Sequence, residues 1–117
     1  MDEMRTLAKH LLFHLMVVAA LAAAPAPAKQ TFKGVITDDN CPNADHSRMR
    51  MGPTDAECAK ACIDAHGAVY GLYDGKGFYN LSDQKTAETF VAKKVKVTGT
   101  LDAKTKTIQV DSIAAQD

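Results

Sequence analysis

The chain has 117 residues, with 14 Lys and Arg against 14 Asp and Glu, so its formal net charge is zero. That length holds one small domain, near the lower limit of what a single apolar core sustains. Without a basic excess there is nothing to grip a phosphate backbone, so no nucleic-acid partner is expected.

Arg5 and Lys9 supply the positive charge that opens a secretory leader. Asp2 and Glu3 are out of place there, and a start at Met4 would remove both. An apolar run follows over residues 11–24, broken by His14. It falls short of the roughly 20 apolar residues of a membrane span and suits a signal-peptide core. Alanines and prolines over residues 22–28 then offer several A-x-A cleavage sites. Residues 1–28 therefore read as a cleavable signal peptide. Residues 30–117 read as a single exported domain, in the periplasm or the extracellular space, with no stable membrane span after cleavage. No cysteine near the cleavage region points to a lipid anchor. Setting aside Arg5, Lys9 and Lys29, and Asp2 and Glu3, leaves 11 basic and 12 acidic residues.

Residues 31–37 alternate, with Phe32, Gly34 and Ile36 on one face, and are expected to form the first strand. A long polar segment over residues 38–53 follows. Asp38-Asp39-Asn40 resembles part of a calcium loop, but the later glycine and glutamate are missing, so it reads as a turn. Thr54-Asp55-Ala56-Glu57 is a capping box, and Gly67 stands at a stop position. A helix of about three turns is predicted over residues 55–66. Residues 68–73 and 78–81 make a hairpin around Asp74-Gly75-Lys76-Gly77. Ser82 or Asp83 caps a short helix with Ala87, Phe90 and Val91 inward. Val95, Val97, Gly99 and Leu101 alternate with polar residues as a half-buried strand. A turn at Asp102-Ala103-Lys104 leads to Ile108, Val110 and Ile113. Ile113 is out of phase with the other two, which predicts a bulge or a strand end near Asp111.

This order makes the fold mainly β. It predicts a small five-stranded OB-like barrel, with a helix inserted after the first strand and a short helix between the third and fourth. Tyr70, Tyr73, Phe78 and Tyr79 are assigned to its core and hairpin packing. Lys93, Lys94 and Lys96 read as a solvated strand edge.

Almost every soft ligand of the domain lies between Cys41 and His66: Cys41, His46, Met49, Met51, Cys58, Cys62 and His66. Cys58 and Cys62 are four apart and share a helix face. Three readings stay open. A disulfide from Cys41 to Cys58 or Cys62 would close a loop of roughly 20 residues and contribute about 3 kcal/mol, leaving one spare thiol. Alternatively, Cys41, His46, Cys58 and Cys62 form a Cys₃His tetrahedral zinc set. The same softness suits Cu(I), with Met49 and Met51 as secondary thioether ligands. Thiol-redox chemistry at Cys58 and Cys62 is the third, although C-x₃-C is not the C-x₂-C of disulfide oxidoreductases. His66 reads as a helix-end residue complementing the dipole before it reads as a ligand.

Gly34-x-Ile36-x-Asp38 leading to Cys41, then His46, Glu57-Cys58-Ala59-x-x-Cys62 and Gly67-Ala68-x-Tyr70 resembles an uncharacterised family of small secreted bacterial proteins. The stretch Val95-Lys96-Val97-Thr98-Gly99-Thr100-Leu101-Asp102 matches it too. The resemblance covers nearly all of residues 30–117. It implies export, an OB-like build and a Cys/His set that travels together, and it implies no activity. Pro42 departs from it, since similar sequences have Gly or Ala after this cysteine.

No catalytic constellation is visible. The expected function is a non-enzymatic binding or structural module whose Cys/His cluster staples the fold or holds zinc or copper. The alternatives are a thiol-redox protein and an envelope-associated structural domain without a ligand. A metal ion or another protein is the expected partner.

Overall fold

The computed structural model describes residues 27–117. The expected leader lies outside the described residues except for Pro27 and Ala28. The elements run β1 (Gln30–Asp38), α1 (Asp55–His66), β2 (Tyr70–Tyr73), β3 (Phe78–Leu81), α2 (Gln84–Thr89), β4 (Lys94–Asp102) and β5 (Thr107–Ala115). The fold is mainly β. The strands close into a ring in the order β1-β2-β3-β5-β4, completed by an antiparallel β1–β4 pair. Among the strands of the described residues, β3 and β5 alone pair in parallel. Among the described residues no helix is long and apolar enough to cross a membrane.

Closure follows from alternation plus local bending. Val95 and Val97 of β4 are fully buried, while Lys94 is exposed and Lys96 half-buried. The lysines do not guard a free edge as expected, because β4 pairs with β1 on one side and β5 on the other. Their side chains line the outer face of a strand that has no edge left. Along β5 the register shifts between Thr98↔Ser112 and Gly99↔Val110, leaving Asp111 as the extra residue. This bulge restores Ile113 to the interior alongside Ile108. Opposite it, Gly99 lets the strands approach closely, since a Cβ there would run into the Gln109 carbonyl.

Ile36, Leu72, Leu81, Val95, Val97 and Ile108 form the centre of the core. Each such side chain contributes roughly 1.5–3 kcal/mol when buried. The aromatics behave as expected of packing residues. Tyr70 is buried, Tyr79 meets Phe32 at 5.8 Å between ring centroids, and the Tyr73 hydroxyl donates to the Gly75 carbonyl in the hairpin turn.

Both helices are set by their ends. The Glu57 amide donates to Thr54 Oγ1 at 3.2 Å, and the Thr54 hydroxyl donates to the Glu57 carboxylate at 2.9 Å. Gly67 closes α1 in the left-handed region at φ 63°. Asp83 caps α2 by accepting from the Thr86 amide. That helix stops at Thr89, so Phe90 and Val91 follow it rather than lie on it. Gln84 ties α2 to the sheet, accepting from the Tyr70 amide and donating to the Tyr70 and Leu81 carbonyls.

Helix α1 packs on the ring through Ala59, which joins the core. The same side carries Cys58 and Cys62, both fully buried. Between β1 and α1 runs the one long irregular connection among the described residues, residues 39–54.

Candidate metal centre

The site begins where β1 ends. Phe32, Gly34 and Ile36 face inward, and the same two-residue step carries Asp38 inward as well. Asp38 is fully buried. This corrects the reading of residues 38–40 as turn chemistry alone. Asp38 does build the turn through one oxygen, Oδ1, which accepts from the Asn40 amide at 3.0 Å and the Cys41 amide at 3.2 Å. Its other oxygen, Oδ2, has no hydrogen-bond partner.

The turn then brings Cys41 and His46 back against Asp38. Thr37, also fully buried, donates its hydroxyl to the Cys41 carbonyl at 2.8 Å. Ala44 adopts a left-handed φ of 60° and its amide donates to the Cys41 carbonyl. Asn43 and Asp45 each accept from the amide two residues on, which carries the chain through His46. The result is a buried group in which one donor atom from each of Asp38, Cys41 and His46 lies within 4.8 Å of the others. Such a group can hold a metal ion.

Two atoms of this group define its chemistry. His46 Nδ1 also lacks a hydrogen-bond partner, and it faces Asp38 Oδ2 across 3.9 Å. A charge-assisted hydrogen bond would close to about 2.8 Å. A buried polar atom left unpaired costs about 1–3 kcal/mol, more if charged. Bonds of about 2.0–2.2 Å to a zinc-sized ion in tetrahedral geometry would set the two atoms about 3.4 Å apart, so the pair would close by about half an ångström on an ion.

The surrounding charges agree. Burial, and then the negative charge of Asp38, push the Cys41 thiol up from 9.0 to about 11. The same two causes, in the same order, raise Cys62. Both shifts run opposite to the depressed pKa that makes a thiol an attacking group. A cation beside Asp38 reverses the electrostatic part, because a coordinated thiol gives up its proton.

The sequence-derived set Cys41, His46, Cys58 and Cys62 is thus split. Cys41 and His46 come together, joined by Asp38. Cys58 and Cys62 lie near enough for their charges to act on Cys41, but they stand outside the tight group. All three cysteines are free thiols, so the expected Cys41–Cys58 or Cys41–Cys62 bridge is not formed. The α1 thiols are engaged elsewhere. Cys58 Sγ accepts from the Met51 amide and donates to the Met49 carbonyl, each at 3.3 Å. Cys62 Sγ lies 3.6 Å from Met51 Sδ. His66 is exposed at the end of α1, away from the cluster.

A cleft lined by Asn40, Cys41, Pro42, Asn43, Asp45, Arg48 and Met49 opens beside Cys41. Comparison with protein-family models, with curated proteins and with solved structures found no match to this chain. The signal that could have found Asp38 is its shared phase with Ile36, although both faces are covered at this end of β1, where Thr37 is buried as well.

Proposed function

We propose that this chain is an exported, non-enzymatic metal-binding module of OB-like build, with Asp38, Cys41 and His46 holding one divalent ion of borderline softness, zinc above all. The observation that carries the reading is the unpartnered pair of buried atoms, Asp38 Oδ2 and His46 Nδ1, 3.9 Å apart beside the Cys41 thiol. Carboxylate, imidazole and thiolate together suit zinc better than calcium or magnesium, which take oxygen alone. Three protein ligands leave a fourth position for solvent. The strand order, with α2 between β3 and β4, supports the OB-like assignment. The leader expected over residues 1–28 supports export.

Held there, the ion ties residues 41 and 46 to the end of β1 and so pins the long connection. Zinc titration of the metal-stripped chain, read by calorimetry and by elemental analysis, tests this. One zinc per chain is expected. Asp38→Asn and His46→Ala should each weaken it by more than the roughly 10–100-fold cost of losing a supporting partner. A folded chain that takes up no zinc, or variants that bind as the parent does, would leave a buried water as the bridge and overturn the reading. In cells, a chain outside the cytoplasm and shortened near residue 28 is expected; a full-length cytoplasmic chain overturns the export part.

A further inference from the structure

Beyond the zinc centre, the α1 thiols and the loop methionines remain unexplained. Cys58 and Cys62 are both fully buried on one helix face. Over them lies Met51, whose thioether sulfur is 3.6 Å from Cys62 Sγ while its amide donates to Cys58 Sγ at 3.3 Å. Gly52 fixes this placement, because a Cβ there would stand 2.9 Å from Glu57 Cβ and 3.0 Å from the Cys58 nitrogen. The loop therefore lies directly on the first turns of α1.

Met51 is not held there by ordinary apolar burial. Met49 and Met51 are 46% and 36% exposed, two of the three exposed large apolar residues among those described. One sulfur at the surface is turned onto a thiol that is completely closed off. No carboxylate or imidazole belongs to this trio. Sulfurs bound at about 2.3 Å to one ion in trigonal or tetrahedral geometry stand about 4 Å apart, close to the Met51–Cys62 spacing. An amide donating to a cysteine sulfur is also the kind of bond that steadies and tunes metal-bound thiolate.

We infer that Cys58, Cys62 and Met51 form a second site, made of sulfur alone, that takes monovalent copper. Thiolate and thioether select Cu(I), whereas borderline divalent ions go to the mixed donors of Asp38, Cys41 and His46. The exposed thioether of Met51 receives the ion at the surface and the two thiols hold it from below. Each coordinated thiol releases its proton to solvent, and no electron is transferred, since copper enters and stays as Cu(I). The two sites share no ligand, so each stands or falls alone.

The test is anaerobic titration of the full, reduced chain into Cu(I) held by bathocuproine disulfonate. Loss of the chelate's colour and growth of ultraviolet sulfur-to-copper absorption report transfer. One Cu(I) per chain is expected, weakened at least about tenfold by Met51→Leu, with zinc binding unchanged in that variant. Met51→Leu keeps the volume at a partly exposed position, so folding survives even if Cys62→Ser does not. Asp38→Asn should lose zinc and keep copper. A chain that cannot withdraw Cu(I), or a Met51→Leu chain that binds it as the parent does, overturns the site. Copper lost in Asp38→Asn overturns it as well, by making the two sites one. Copper bound with no zinc leaves this inference standing and removes the zinc reading.

Discussion

The ring of strands and the connection over residues 39–54 are built from opposite materials. The ring is held by apolar burial and continuous backbone pairing, with Leu72, Val95, Val97 and Ile108 fully closed off. The connection has almost no apolar burial. It is shaped by side-chain oxygens accepting from nearby amides, by an exposed Arg50–Asp55 pair at 2.9 Å, and by sulfur contacts to α1. An exposed pair of that kind is worth about 0–1 kcal/mol at most. The ring can stand on its own packing, whereas the connection needs something more to hold a buried carboxylate and imidazole in place.

The contrast can be broken hardest from the ring side. Leu72→Ala should cost about 2–5 kcal/mol, read by denaturant unfolding, because it opens a cavity in a closed core. Zinc affinity in the fraction that stays folded should change little. A large loss of zinc affinity there would mean that ring and connection are one cooperative unit. A smaller effect comes from pH. A thiol raised from 9.0 to about 11 holds its proton more tightly folded than unfolded. The stability this gives the metal-free chain is present in full below about pH 9 and is lost as the pH climbs through about 11. The loss is at most about 3 kcal/mol. The melting temperature of the metal-free chain should fall over that range, and more shallowly in Cys41→Ser. Equal slopes would place the alkaline loss in the ring, where burial also raises Tyr70 to about 12. The smallest effect is backbone relief. Ala44→Gly removes a left-handed alanine and should stabilise by less than about 1 kcal/mol, seen as a rise of a few degrees in melting temperature. Ala92→Gly, at φ 63° before β4, is the matched change in the ring. A fall in melting temperature for Ala44→Gly alone would show that the connection uses alanine's stiffness.

The same division governs what could be read in advance. Helix α1 came out at its bounds because both ends carry local chemistry, the Thr54–Glu57 box and Gly67. The phase break in Ile108, Val110 and Ile113 left a bulge or a strand end open near Asp111, and the register shift within a strand that runs on to Ala115 makes it a bulge. Closure of β1 on β4 was expected only from element order, since no residue marks which distant strands pair. The candidate centre was half legible. Cys41 and His46 announced themselves by type, but Asp38 sits in a string of turn formers whose usual role hid its strand phase. The Met51–Cys62 contact depends on how an irregular loop lies on a helix, and no periodicity encodes that.

Asp38 divides its two oxygens between separate duties. One shapes the peptide chain around Cys41, and the other points at His46. In the proposed site the loop's shape and the ion's address would be written in one side chain, and mutation could not revise them independently. Lengthening that residue to glutamate to suit a larger ion would also displace the turn that delivers Cys41. If the proposed sites hold, changes of metal preference would be steered toward Cys41 and His46, or toward the sulfur set on α1, where an altered ligand leaves that turn intact.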